Sequence, residues 1–372
     1  MAKFIVWQLK RWLIPALVII GVISMSLIIL SSTQPVTYMV YDGTPIYMPS
    51  QLFMSIMLFA TIIATVFPMF VFNYKFGIRR ADFYKQLPFE ENQLKRIILV
   101  MGLVLVLIGA VLAFSLGFGI YFLRYYLTDV SKLEENTYLL KIDWKYVFYF
   151  FGVLLLATFS TYSISALFVY HNVSIFEAIV SIVLAHIFLG AFLSGILAQV
   201  YASMTAYGGF EDNTKQIYLS FSLITPIIAA ADFDELFMSA KDHLSYNLYW
   251  NLPIYFALGI GSFLWIFFSK DRSADKENEK GHPSILTLIA EHGGFLSIIL
   301  LFNYISYYLI YIAFIIMFFA FATYFFINVL YRHGFKLRME QWIPMIGVGM
   351  ISILDAIYMA IVANKMLQNS VY

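Results

Sequence analysis

Few residues in this chain could do chemistry, and they fall in three places. Glu90-Glu91-Asn92-Gln93-Leu94-Lys95-Arg96 sets two carboxylates beside two cations. Paired glutamates can serve metal-assisted peptide hydrolysis in a membrane when an arginine and a His or Asn on a second helix complete the set. Here the arginine is one residue too far along and no such partner pattern follows. A plainer account is a helix opened by Pro88, with Glu90 and Glu91 in its positive first turn and Glu91 facing Lys95 at i,i+4. His186 and Ser194 share one apolar run, but about two helical turns place them ~12 Å apart along the axis, too far for a catalytic dyad. That leaves His186 and Asp355 as the polar residues deepest in apolar segments. Such groups mark either a transport pathway or a hydrogen bond between helices. No G-x-x-x-x-G-K-[ST] and no His-Glu-x-x-His occurs, so neither a P-loop nor that zinc-ligand set is present. Without any cysteine the chain forms no disulfide or thiolate metal site. No reading as an enzyme and no catalytic or metal-binding residue follows.

The elements that must hold these residues are membrane helices. The chain is 62% hydrophobic and only 12% charged, and its apolar residues fall in long uncharged blocks. With 23 basic and 22 acidic residues it is near neutral, which gives no general attraction to nucleic acid. The sequence predicts an all-α polytopic bundle. A first span, 12–30, follows Lys3, Lys10 and Arg11 and reads as a retained anchor with a cytoplasmic N-terminus. Spans at 51–72, 97–123, 146–170 and 174–200 come next. The loop 73–96 carries Lys75, Arg79, Arg80, Lys85, Lys95 and Arg96, whereas 31–50 holds no Lys or Arg, so the positive-inside rule puts 73–96 in the cytoplasm. Ser174-Ile175-Phe176-Glu177 has the spacing of a capping box, which starts the fifth span and gives Glu177 a structural role.

The stretch 217–231, interrupted by Pro226, reaches only about 22 Å against a ~30 Å hydrocarbon core. It reads as a re-entrant or interfacial segment on the outer side. A sixth span covers 247–268. Residues 269–294 read as a cytoplasmic linker and 295–372 as two or three further spans. The uncharged stretch 295–330 fits either one tilted helix or a hairpin turning near Asn303, and the hairpin keeps Arg332, Lys336 and Arg338 inside.

Between the second and third spans, Phe76, Phe83 and Leu87 recur on one side of a helical wheel. Arg79, Asp82 and Lys85 lie away from that side, and Pro88 ends the turn. This describes a short amphipathic helix, either docked on another protein or resting on lipid headgroups.

The stretch Arg79-Arg80-Ala81-Asp82-Phe83-Tyr84-Lys85-Gln86-Leu87-Pro88 resembles the cytoplasmic loop of type-2 ABC exporter permeases of Gram-positive bacteria. Weaker likenesses follow in the same order. Residues 159–186 are similar to that family's passage from span four to span five, keeping Asn172 but with His171 where glycine is common. Thr225-Pro226 is similar to its Ser-Pro segment, and Lys270-Asp271-Arg272-Ser273 to the basic segment after span six. The Glu-x-Ala-Gly expected next is reduced to Glu279-Lys280-Gly281.

The resemblance covers about residues 1–290. It implies a six-helix permease core over 1–268 in the bacterial plasma membrane and a second permease subunit, identical or not. It also implies a separate cytoplasmic ABC ATPase that holds the ATP and Mg, with no cofactor in this chain. Arg79, Arg80, Asp82, Phe83, Tyr84, Leu87 and Pro88 would form the coupling helix, and His171, Asn172 and Ser174 a second cytoplasmic contact. His186 and Asp355 would be pathway candidates. The implied cargo is hydrophobic or amphipathic: a peptide, lipid or drug. A non-transporting immunity or sensor subunit and an ion-driven transporter are the other classes.

Overall fold

The computed structural model describes residues 7, 10, 12, 25–29, 31–32, 37–39, 50–76, 86, 90–129, 137–139, 144–172, 174–206, 222, 224–231, 244–269, 285–305, 318, 321–322, 324–326 and 339–370. Its helices are α1 (Ser50–Val71), α2 (Glu91–Leu127), α3 (Trp144–His171), α4 (Ile175–Ala206), α5 (Ile224–Ala231), α6 (Leu244–Phe268), α7 (Ile285–Ile305) and α8 (Met339–Ser370). A two-stranded antiparallel ribbon, β1 (Thr37–Met39) with β2 (Thr137–Leu139), pairs Tyr38 with Tyr138.

Seven of these helices, all but α5, are long and apolar enough to cross a bilayer, and the chain is a multi-pass membrane protein. Side-chain placement agrees with a hydrocarbon solvent. On α2, Val100, Val104, Ile108 and Val111 are 38–49% exposed along one stripe, while Thr158, Thr161, Ser163 and Ser165 on α3 are buried. Thr158 and Thr161 return their hydroxyls to the carbonyls four residues earlier, which satisfies them without water.

The described chain forms two compact units, 1–167 with 225–248 and 252–271, and 168–224 with 249–251 and 272–372. In the first, α1 and α2 form an antiparallel hairpin. Gly102 lies against Val71, and Gly117 against Ile56. α3 runs antiparallel to α2, with the Tyr162 hydroxyl donating to the Leu99 carbonyl at 3.0 Å and Phe151 beside Phe114. Against α3 lies α6, where Gly259 faces Ser160 and the hydroxyls of Tyr255 and Thr161 share a 2.6 Å hydrogen bond.

The second unit is built on α4, α7 and α8. Gly294 meets Leu184 and Gly195 meets Leu300, so α4 and α7 run the same way. Leu184, Phe295, Tyr324 and Met345 form one apolar cluster, and Ala202, Ala206, Met359 and Val362 another. The first cluster lies early in α4 and α8 and the second late in both, so α8 is parallel as well. Two parallel helices in sequence need a return crossing between them. Among the described helical residues of 318–326, Phe325 packs on Trp342 while Phe321 reaches Gly349, so this segment runs antiparallel to α8.

Two boundaries differ from the sequence expectation. α7 begins at Ile285, inside the tract expected as a linker over 269–294. Its Glu291-His292-Gly293-Gly294 lowers the hydropathy, yet it sits on a helix because Glu291 is buried and the glycines permit close packing. The expected core of 1–268 is also divided, because α4 joins α7 and α8. Within 217–231, the described helix α5 is eight residues long and holds Pro226 in its first turn, where no backbone N–H is needed.

Candidate functional site

Arg79, Arg80, Asp82, Phe83, Tyr84, Leu87 and Pro88 lie outside the described residues. Their flanks are described. Before them, Asn73–Phe76 forms one 3-10 turn after α1. After them, Glu90 is extended and α2 begins at Glu91.

The first turns of α2 grip the end of α6. Lys95 is fully buried, and its ammonium donates to the Ser269 carbonyl, with Ser269 Oγ at 3.3 Å and Asn92 Oδ1 at 3.4 Å. Arg96 Nε donates to the Phe267 carbonyl at 2.9 Å, and its guanidinium lies over the Phe267 ring, 4.9 Å from the centroid. Two cations thus hold carbonyls at a helix C-terminus, which otherwise lack partners and carry the negative end of the dipole. The helix that opens directly after the basic loop is therefore tied to the last turn of α6.

The turn between α3 and α4 has a different character. Ser174 and Glu177 form the capping box reciprocally: Glu177 N–H donates to Ser174 Oγ at 3.1 Å and Ser174 N–H to Glu177 Oε2 at 3.2 Å. Asn172 is buried at 3% exposure. Its Nδ2 donates to the Phe168 carbonyl at 2.7 Å, and its Oδ1 accepts from Thr287 at 2.8 Å and Ser181 at 3.5 Å. That side chain ties the end of α3 to α4 and α7, so an external contact at this turn falls to its neighbours. Of these, His171 packs edge-on to Tyr170 and Ser174 is exposed.

The remaining polar groups form a row inside the second unit. His186 is buried on α4, at the level where Leu184 and Phe188 meet Gly294 and Gly293 of α7. Glu291, 3% exposed, and His292, bonded through Nδ1 to the Tyr324 hydroxyl, lie just before those glycines. Further along, Asp355 Oδ2 accepts from Asn303 Nδ2 at 2.6 Å and Gln199 Nε2 at 3.2 Å. Gln199 Nε2 also reaches the Leu300 carbonyl at 3.1 Å, and Ser203 shares a hydrogen bond with Tyr358.

His186 and Asp355 are not brought together. Gln199, which bonds Asp355, lies about 20 Å along α4 from His186. Glu291, His292, Gln199 and Asn303 are the residues that sequence reasoning missed. The signal available for the first pair was a glutamate and histidine directly before paired glycines, in a segment otherwise apolar. Among the described residues no group of three or more His, Cys, Asp or Glu could hold a metal ion. No family model matches the chain, and neither a curated protein nor a solved structure matches it.

Proposed function

We propose that this chain is the membrane subunit of an ATP-driven exporter, coupled through the loop 79–88 to a separate cytoplasmic ATPase that binds ATP and Mg. The single observation that carries the reading is the grip of Lys95 and Arg96 on the end of α6, at the helix start that directly follows the loop. A displacement of the loop by a docked ATPase would pass through α2 into α6. Phe83 and Leu87 serve as apolar anchors in the ATPase cleft, with Arg79, Arg80 and Asp82 around them and Tyr84 and Pro88 shaping the helix end. His171 and Ser174 offer the smaller contact. A second permease subunit completes the pathway in the plasma membrane, with the N-terminus cytoplasmic. The cargo is hydrophobic or amphipathic.

Buried interface anchors commonly contribute about 2 kcal/mol or more to association. The Phe83→Ala, Leu87→Ala double variant is therefore expected to insert normally and to lose the co-purifying ATPase in a mild-detergent pull-down from native membranes. Retention of the ATPase by that variant would reject the docking role. A sensor or immunity subunit would keep the partner but show no ATP-dependent movement of substrate in vesicles. Ion-driven transport is the reading favoured by one other observation, the half-buried carboxylate Asp355 between three helices.

A further inference from the structure

We propose that Asp355, Asn303 and Gln199 form a binding site for one monovalent cation, a proton or an alkali ion such as Na+. The site is independent of the exporter reading, since it uses none of the loop or clamp residues.

Two amides converge on the carboxylate. Asn303 Nδ2 and Gln199 Nε2 both donate to the same oxygen of Asp355, Oδ2, which leaves Oδ1 for another partner. Each nitrogen is held a second time by a backbone carbonyl: Gln199 by Leu300 at 3.1 Å and Asn303 by Ser352 at 3.4 Å. The amide orientation is therefore set, because reversing either group would point its oxygen at a carboxylate and a carbonyl. The consequence appears on Asn303. Its residue is 2% exposed, and its Oδ1 is buried with no hydrogen-bond partner among the described residues. A buried amide oxygen without a donor, on a residue bonded to a carboxylate, is an arrangement that a positive charge resolves.

No side chain supplies that charge among the described residues. α4 and α7 contain no Lys or Arg, and α8 contains only Lys365, about 15 Å along its axis from Asp355. The other titratable groups on the packed helices are Tyr358, one turn on and bonded to Ser203, Tyr201 and Tyr304, close in sequence to Gln199 and Asn303, Glu340 at the far end of α8, Glu177 at the start of α4, and His186, Glu291 and His292, each three turns or more earlier. The backbone adds to the same preference. Asn303 lies in the last turn of α7, where carbonyls lack intrahelical partners and the helix dipole is negative. Carboxylate, amide carbonyl and backbone carbonyl oxygens are the ligands that hard cations take. A proton on Asp355 would answer the same need by donating to an amide oxygen.

The test uses the purified full chain in detergent, with NaCl compared against choline chloride at equal ionic strength. In weakly buffered solution at alkaline pH, NaCl is expected to raise the thermal unfolding midpoint over choline chloride, and acidification without Na+ to raise it too. Asp355→Asn, which is nearly isosteric, should remove both responses. Asn303→Ala should weaken the NaCl response at least tenfold in midpoint concentration. At a lower pH, where the acid response is complete and the site holds its proton, a NaCl response accompanied by release of about one proton per chain identifies an alkali ion that displaces the proton. A response to acid alone, lost in Asp355→Asn, identifies the proton as the ligand. Equal behaviour in the two salts with no Asp355-dependent acid response overturns the site, as does a NaCl response that survives in Asp355→Asn. Proton release from the unaltered chain reads the site even where a variant fails to fold. Because no ATPase enters the measurement, its failure is distinct from failure of the pull-down.

Discussion

An ammonium group with no exposed surface has to be surrounded by acceptors, and Lys95 finds them on another helix. Hydrogen bonds to charged groups contribute about 1.5–3 kcal/mol each to stability, so Lys95→Met is expected to cost that order of energy. The check is a reversible unfolding titration in mixed micelles. A change below about 0.5 kcal/mol would mean that Arg96 alone holds the end of α6. At this scale the sequence was legible where bonds are local. Ser174 and Glu177 stand three apart and close the capping box from their spacing alone. The same local logic points Lys95 toward Glu91, while its described partners Ser269 and Asn92 include one far along the chain. Glu291 was hidden for a related reason: hydropathy cannot separate a glutamate buried between helices from one in a loop.

Helix contacts in a bilayer depend on small residues that admit a close approach. Gly294 on α7 is such a point, since a Cβ there would lie 2.7 Å from the Leu184 carbonyl oxygen. Backbone cannot swing aside as a side-chain tip can. Gly294→Val is therefore expected to push α4 and α7 apart and destabilise the fold by about 1–3 kcal/mol. Gly347→Val on α8, with nothing among the described residues within 4 Å of the added carbon, serves as the control. Thermal melting of both variants in one detergent measures the difference, and equal midpoints would show that the contact carries no stability. The spans themselves were legible because hydrocarbon demands long apolar runs. Their partners were not, because an apolar stripe says that a face is covered without saying by which helix. Hence α4, assigned by order to the first six spans, packs with α7 and α8.

For the whole molecule, parallel α4, α7 and α8 fix an alternation of sides that labelling can read. The chain has no cysteine of its own, so single introduced thiols report cleanly. Ile175→Cys at the start of α4 and Gln368→Cys near the end of α8 are expected to react with a membrane-impermeant maleimide from opposite sides of the membrane. Labelling from the same side would contradict the return crossing between α7 and α8. The clamp of Lys95 on Ser269 also sets a timetable for assembly. The two residues are 174 positions apart, so at ordinary synthesis rates of about 5–20 residues per second roughly 10–35 s separate their emergence. Through that interval the Lys95 ammonium is without its Ser269 acceptors, and water or headgroups take their place. The arrival of α6 displaces that hydration, so the first unit closes late and α6 is the helix that completes it.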